Sequence, residues 1–384
     1  MIHLFTKGIC RNIQEPVIAR IGDLHHNVGN LFLIRDLSDL GSIRQLGKSA
    51  IFLFDSSLNE EFTQEFSDYN QVNNLNTEYL SVGDIIRIGT KGEISTLFRE
   101  NSSHNSLFIT DRCNSNCIMC SQPPRNRDDL DHFWEINTRL LALIPKETQV
   151  LGITGGEPTL LGRRFVDLIA LMKSELPMTD VHVLTNGRSF AWKNLVEALS
   201  LVENQKVVFG IPLYSDYYGI HDYIVQAKDA FDQTMLGLYN LERFNQRVEI
   251  RVVLHQQSFS RLPQLAKYIF RNLPFVEHIA FMGLEFVGYT VANRDILWIE
   301  PEDYMDQLEE AVLFLDSMGM NVSIYNLPLC LLRPALWRFS RNSISDWKRD
   351  YLEECQSCAV LEKCGGVFGT SKKLSNRIKS ISWQ

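Results

Sequence analysis

Cys113, Cys117 and Cys120 stand as C-x3-C-x2-C in the polar stretch Thr110 to Cys120. That spacing lets one short loop fold three thiolates around a common centre. A structural zinc site takes four ligands, and a closed four-iron cluster takes four cysteines. Three thiolates leave one iron open to bind something else. Gly155-Gly156-Glu157-Pro158 begins 35 residues after Cys120 and ends the apolar run Val150-Leu151-Gly152-Ile153-Thr154. Two glycines at a strand end let a ligand approach the backbone closely. A carboxylate beside them can accept from an ammonium group.

The elements that must hold these residues show in the hydrophobic pattern. From Leu107 onward, strands alternate with helices. Candidate strands cover 107–111, 148–153, 180–185, 206–214, 248–254 and 277–282. Helical stretches lie near 131–145, 162–175, 190–201, 229–243, 259–272 and 302–318. Six such units imply an α/β fold, a parallel sheet with crossover helices. Chemistry in such sheets gathers at the carboxyl ends of the strands. The cysteine loop follows the first strand and Gly155 the second, so both motifs fall on one rim. Residues 1–104 read as a small, mainly β domain. It contains the apolar run Ile51-Phe52-Leu53-Phe54 and a polar stretch around Asn70 to Asn76. A hairpin follows, with Asp84–Ile88 and Ile94–Phe98 flanking Gly89-Thr90-Lys91-Gly92. Asn101-Ser102-Ser103-His104-Asn105 reads as a linker. Residues 105–320 then form the barrel, and 321–384 a short cysteine-rich extension.

The chain of 384 residues is 45% hydrophobic and 22% charged, as in a globular protein with a large core. Its net charge of −8 argues against broad nucleic-acid binding. The basic run Ser371 to Lys379 reads as a solvated tail. No run of 18 apolar residues appears, and Met1 to Gly8 is too weakly apolar for a signal peptide, so neither a membrane span nor export is expected. In a reducing cytoplasm, eight cysteines are metal ligands or core thiols.

C-x3-C-x2-C followed by G-G-E-P resembles the radical S-adenosylmethionine (SAM) superfamily. The resemblance implies a partial (β/α)6 barrel. It also implies that Cys113, Cys117 and Cys120 hold three irons of a [4Fe-4S] cluster whose fourth iron takes SAM. Gly155, Gly156, Glu157 and Pro158 then line the methionine end of SAM, with Glu157 accepting from its ammonium, and Met119 lies near the adenine. Leu184-Thr185-Asn186-Gly187 matches a T-N-G at the third strand end, which brings Asn186 to the SAM pocket. Ser215 is the candidate for the ribose hydroxyls, since Pro212 takes the usual polar place. Arg251 or His255 on the fifth strand are candidates for the SAM carboxylate or for substrate, with a core or rim role as the alternative. His221-Asp222 with Phe231 is structural.

Cys355-x2-Cys358-x5-Cys364, before Gly365-Gly366, resembles the core of the SPASM and twitch extensions of radical SAM peptide maturases. Cys330 is the implied fourth ligand of this auxiliary cluster. Four thiolates close a second [4Fe-4S] cluster; a four-thiolate zinc site fits the same spacing. Cys10 is a lone thiol. More narrowly, Asn105 to Cys113, Met119-Cys120-Ser121-Gln122-Pro123-Pro124, Asn326 to Cys330 and Ser343 to Lys348 resemble the C-component maturase of the His-Xaa-Ser repeat system. That resemblance implies an enzyme that takes one electron from a donor and reductively cleaves SAM to a 5′-deoxyadenosyl radical. The radical then modifies a ribosomally synthesised peptide with His-Xaa-Ser repeats, alongside a partner maturase. Two alternatives stand beside this reading. One is a radical SAM enzyme acting on a non-peptide substrate. The other is a non-catalytic iron–sulfur scaffold for a partner enzyme.

Overall fold

The computed structural model describes residues 4–58, 60–343, 348–371 and 375–382. Ile344 to Trp347 and Lys372 to Leu374, used above in the resemblance and the basic tail, lie outside these residues. The first hundred residues form eight strands. They are β1 (Phe5–Lys7), β2 (Ile9–Arg11), β3 (Val17–Arg20), β4 (Leu31–Ile34), β5 (Ile51–Asp55), β6 (Asn70–Leu75), β7 (Ile85–Ile88) and β8 (Glu93–Phe98). They pair as two four-stranded sheets, in the orders β1-β8-β7-β3 and β2-β6-β5-β4. The run at Ile51–Phe54 is apolar throughout because β5 is covered on both faces. Leu53 packs between the two sheets with Val72 and Ile86, while Phe52 and Phe54 pack beneath Ile43 and Phe66. Residues 70–75 of the polar stretch are themselves strand β6, held by pairing with β5 and β2.

The second part is one parallel sheet: β9 (Asn105–Phe108), β10 (Val150–Thr154), β11 (Asp180–Leu184), β12 (Val207–Pro212), β13 (Arg247–Val253), β14 (His278–Met282), β15 (Val322–Tyr325) and β16 (Ser340–Arg341). These eight run in sequence order, each parallel to the next. The six expected units are present, and two further strands extend them. β15 begins two residues beyond position 320 and continues the same sheet. The first strand starts at Asn105, inside the expected linker. The Asn105 carboxamide ties back to Arg99, accepting from its N–H at 2.8 Å and donating to its carbonyl at 3.0 Å.

Side chains alternate across this sheet. Leu151 and Ile153, Val181 and Val183, Phe209 and Ile211, Val248 and Ile250 go to the helix side and are essentially fully buried. They pack on amphipathic helices such as Leu130–Leu141, Arg163–Glu175, Ala230–Arg243 and Leu262–Asn272. The opposite register carries Gly152, His182, Leu184, Gly210, Glu249, Arg251 and His278, and these line the lumen. Leu184 remains 38% exposed there, so the lumen is open. The N-terminal domain joins the barrel through Ile85 and Phe98, which belong to the barrel core.

Candidate metal and cofactor site

The loop after β9 is clamped from three sides. Asn116 and Ile118 donate their N–H groups to Val225 and Ile224, each at 3.0 Å. The segment at 289–293 closes a second side. Tyr289 N–H donates to the Cys120 carbonyl at 2.9 Å, Thr290 Oγ1 to that of Met119 at 3.1 Å and Asn293 Nδ2 to that of Ile118 at 2.7 Å. The third side is the glycine motif. Gly156 N–H donates to the Thr110 carbonyl at 2.7 Å and Glu157 N–H to that of Arg112 at 2.8 Å. A Cβ on Gly155 would stand 2.7 Å from Thr110 O, and one on Gly156 only 2.0 Å from Arg112 O. The bare side of each glycine is thus filled by the backbone of the cysteine loop. Close packing of two chain segments requires these glycines, beside any ligand contact.

Glu157 is fully buried. Its Oε1 accepts from Thr159 N–H at 3.0 Å, Thr159 Oγ1 at 2.6 Å and Thr185 Oγ1 at 2.7 Å; its Oε2 accepts from Asn186 N–H at 2.7 Å. The carboxylate is therefore a hub joining β10, β11 and the turn opened by Pro158, with remaining acceptor capacity on Oε2. The Asn186 amide reaches the cysteine loop. It donates to Asn114 Oδ1 at 2.6 Å and stands 3.8 Å from Cys113 Sγ. Arg188 completes this wall. It donates to Ser115 Oγ at 3.0 Å and to Gln233 Oε1 at 2.8 Å, and it also reaches the Asn114 carbonyl. Sequence reasoning passed over Arg188; its place two residues after Asn186 was the available signal.

The three thiols share one environment. Burial, and then the Glu157 charge, push Cys113 up to about 11. Burial, with Cys120 and Cys113 close enough to repel a thiolate, pushes Cys117 up to about 12. Cys120 is also raised by burial and donates to the Gln122 carbonyl at 3.0 Å. Ser115 N–H points at Cys113 Sγ at 3.4 Å. Among the described residues, no three His, Cys, Asp or Glu side chains close on a single ion. Thiolates of a four-iron cluster bind different irons and stand farther apart than the ligands of one ion. Three mutually interacting thiols on one loop, with N–H donors aimed at a sulfur, fit that larger group. Such N–H···S contacts also tune a cluster's potential.

Burial raises the Cys330 and Cys355 thiols, and the C-terminal cysteines lie within electrostatic reach of one another. Charge on Cys364 and Cys355 acts on Cys330, and charge on Cys364 and Cys358 acts on Cys355. Leu329 N–H points at Cys364 Sγ and Ile381 N–H at Cys358 Sγ, each at 3.4 Å. Cys10 lies apart from both sets, packed against the core between the N-terminal sheets.

Other candidates fall differently. Met119 packs in an apolar cluster with Ile118, Tyr214, Ile224 and Leu284 behind the loop. Ser215 is buried; its hydroxyl accepts from Tyr217 N–H at 3.1 Å and donates to Asp216 Oδ1 at 3.5 Å. His255 is fully buried and packed near Tyr214, and burial drives it down to about 3. His221 accepts from Tyr214 N–H at 3.3 Å and is driven down to about 4. Arg251 faces the lumen beside Glu249.

Residues 107–269 match the family model of the radical SAM superfamily. This stretch holds the cysteine loop, the glycine motif and Asn186. A GTP 3′,8-cyclase of Desulforamulus reducens is 28% identical over 99 residues, 24% of this chain and 30% of that protein. The chain thus spans under a third of the curated relative it matches. The crystal structure of Streptococcus suis SuiB bound to S-adenosylmethionine is similar in fold, with a TM-score of 0.51 and 15% identity. That likeness covers 75% of this chain and 77% of SuiB. Residues 107–269 are thus similar to the radical SAM superfamily, and the likeness to SuiB is one of fold. Among the described residues, no helix is long and apolar enough to cross a membrane.

Proposed function

We propose that this chain is a radical SAM enzyme that modifies a ribosomally synthesised peptide of the His-Xaa-Ser repeat type. The observation that carries the enzymatic part is the joined network of Cys113, Asn186 and Glu157 on one barrel rim. Cys113, Cys117 and Cys120 would hold a [4Fe-4S] cluster, which supplies the electron that cleaves SAM to methionine and a 5′-deoxyadenosyl radical. Glu157 Oε2 is the acceptor left for an ammonium group, and the Asn186 carboxamide steadies the cysteine loop. The open lumen lets a substrate carbon reach the same rim. The peptide part rests on the C-terminal cysteines, whose pattern resembles that of peptide maturases. Cys330, Cys355, Cys358 and Cys364 would hold a second cluster, with zinc as the competing occupant. Cytoplasmic location, an electron donor and a partner maturase belong to the same proposal.

The test begins with anaerobically reconstituted protein. Iron and sulfide are counted per chain, and 5′-deoxyadenosine is measured after adding SAM and dithionite. About eight irons support two clusters, and about four irons with one zinc make the tail structural. A synthetic peptide carrying His-Xaa-Ser repeats is then followed by mass spectrometry. Turnover of SAM with an unchanged peptide mass, with and without a partner maturase, rejects the peptide reading. The match to a GTP 3′,8-cyclase makes a nucleotide the substrate to try next.

A further inference from the structure

Each cysteine of the second set meets a backbone N–H from outside its own residue. Leu329 N–H stands 3.4 Å from Cys364 Sγ, and Leu352 N–H reaches Cys355. Cys355 and Cys364 are the buried pair. Cys330 and Cys358 are only half-buried, and both take their donors from one later segment, residues 375–382. Ile381 N–H stands 3.4 Å from Cys358 Sγ, and Lys379 N–H reaches Cys330. The segment thus lies against the two sulfurs that stay partly open.

Residues 375–382 carry no helix or strand, so other contacts must hold them in place. Ser375 is buried. Arg377 pairs with Glu302 at 2.6 Å and with Asp303 at 3.6 Å. That exposed pair contributes little. Ile381 packs on the barrel core, and its carbonyl accepts from Ala359 N–H at 2.8 Å, next to Cys358. An N–H donor aimed at sulfur favours the anionic form, which is the form that binds metal. Four sulfurs with one such donor each fit four thiolate ligands. A metal group with four thiolates has no position left for a substrate.

We propose that residues 375–382 are a strap that closes the site of Cys330, Cys355, Cys358 and Cys364, retaining its metal group by donating Lys379 and Ile381 N–H to sulfur. This rests on the reading of these four cysteines as a metal site. An iron–sulfur cluster and a zinc ion share the thiolate chemistry that the strap recognises. The closed site serves as an electron acceptor with the first occupant and as a brace with the second. Substrate binding is left to the open lumen.

The test uses the full chain with Cys113, Cys117 and Cys120 replaced by alanine, so that the metal counted belongs to the second set. One portion is loaded with iron and sulfide and another with zinc, and release of metal to EDTA is timed. Ile381→Pro deletes one N–H, whereas Ile381→Ala keeps it and removes only the side chain. Release should be about tenfold faster from Ile381→Pro than from Ile381→Ala, the effect of one charge-assisted hydrogen bond. A chain ending at residue 374 should release faster still. Equal rates from the proline and alanine variants reduce the segment to packing and overturn the strap. Lys379→Pro against Lys379→Ala makes the same comparison at Cys330 where Ile381→Pro fails to fold. In the iron-loaded portion the reduction potential should shift in Ile381→Pro and hold in Ile381→Ala, because hydrogen bonds to sulfur set it. Imidazole, a probe for an open iron, should leave the spectrum of the loaded full chain unchanged, and a new spectrum overturns the closed site. A chain that takes up neither iron nor zinc rejects the metal reading and the strap with it, whereas metal held equally well without the N–H overturns the strap alone.

Discussion

Gly156→Ala tests whether the glycine motif exists to seat the cysteine loop. The added Cβ would stand 2.0 Å from Arg112 O and 2.6 Å from Arg112 C. These are backbone atoms, so no side chain can swing aside. Gly156 is not in the positive-φ region, so alanine suffers no conformational strain of its own. The whole cost is therefore the contact. To reach an ordinary 3.4 Å, the loop must retreat by about 1.4 Å. That retreat breaks the bonds of Gly156 N–H to Thr110 and of Glu157 N–H to Arg112, now 2.7 and 2.8 Å. Two buried backbone pairs left unmade cost about 1–3 kcal/mol each, so a loss of about 2–6 kcal/mol is expected. Urea unfolding should show a lower midpoint at unchanged slope. Iron after reconstitution should fall by about four per chain, because the triad no longer converges. Gly41→Ala is the control. It meets nothing within 4 Å and lies in the helix Leu40–Leu46, so it should stabilise by up to about 1 kcal/mol. A Gly156→Ala protein with wild-type midpoint and full iron would refute the reasoning.

Replacing Cys113, Cys117 and Cys120 together by alanine should abolish 5′-deoxyadenosine formation yet keep about four irons in the tail; surviving SAM cleavage would show that the triad was misjudged. Stability should fall in acid, because His221 and His255 are held neutral at about 4 and about 3, chiefly by burial. Their folded values lie below the unfolded value near 6.5, so the unfolded chain binds more protons as pH drops. The stabilisation is complete above that value and fades as pH falls toward 4 and 3, by about 2 kcal/mol per histidine at pH 5. Urea midpoints at pH 7 and pH 5 measure it, and His255→Gln should show about half the loss; an unchanged midpoint at pH 5 sinks the idea. Asn105→Ala should cost about 1–3 kcal/mol by freeing Arg99 N–H, held at 2.8 Å. Hydrogen exchange should then quicken at Arg99, and unaltered protection there would count against the tie.

The sequence by itself determined the periodic elements and which thiols are available to one loop. Leu151, Ile153, Val248 and Ile250 alternate with Gly152 and Glu249, and that period of two marks strands whatever surrounds them. The cysteine spacing likewise carries its meaning locally, because three thiols within eight residues can share a loop without help from the rest of the chain. Short or polar strands were less legible. Asn70–Leu75 and Asn105–Phe108 are strands because neighbours pair with them. Strands β15 and β16 extend the sheet on β14 for the same reason. Contacts between distant positions were decided only by the tertiary structure. Glu157 as a hub for Thr159, Thr185 and Asn186, Gly156 against Arg112, and Glu249 between Arg251 and His278 all depend on how strands line up. Spacing along a chain states which groups are available, whereas burial and hydrogen-bond satisfaction depend on which distant segments close around them.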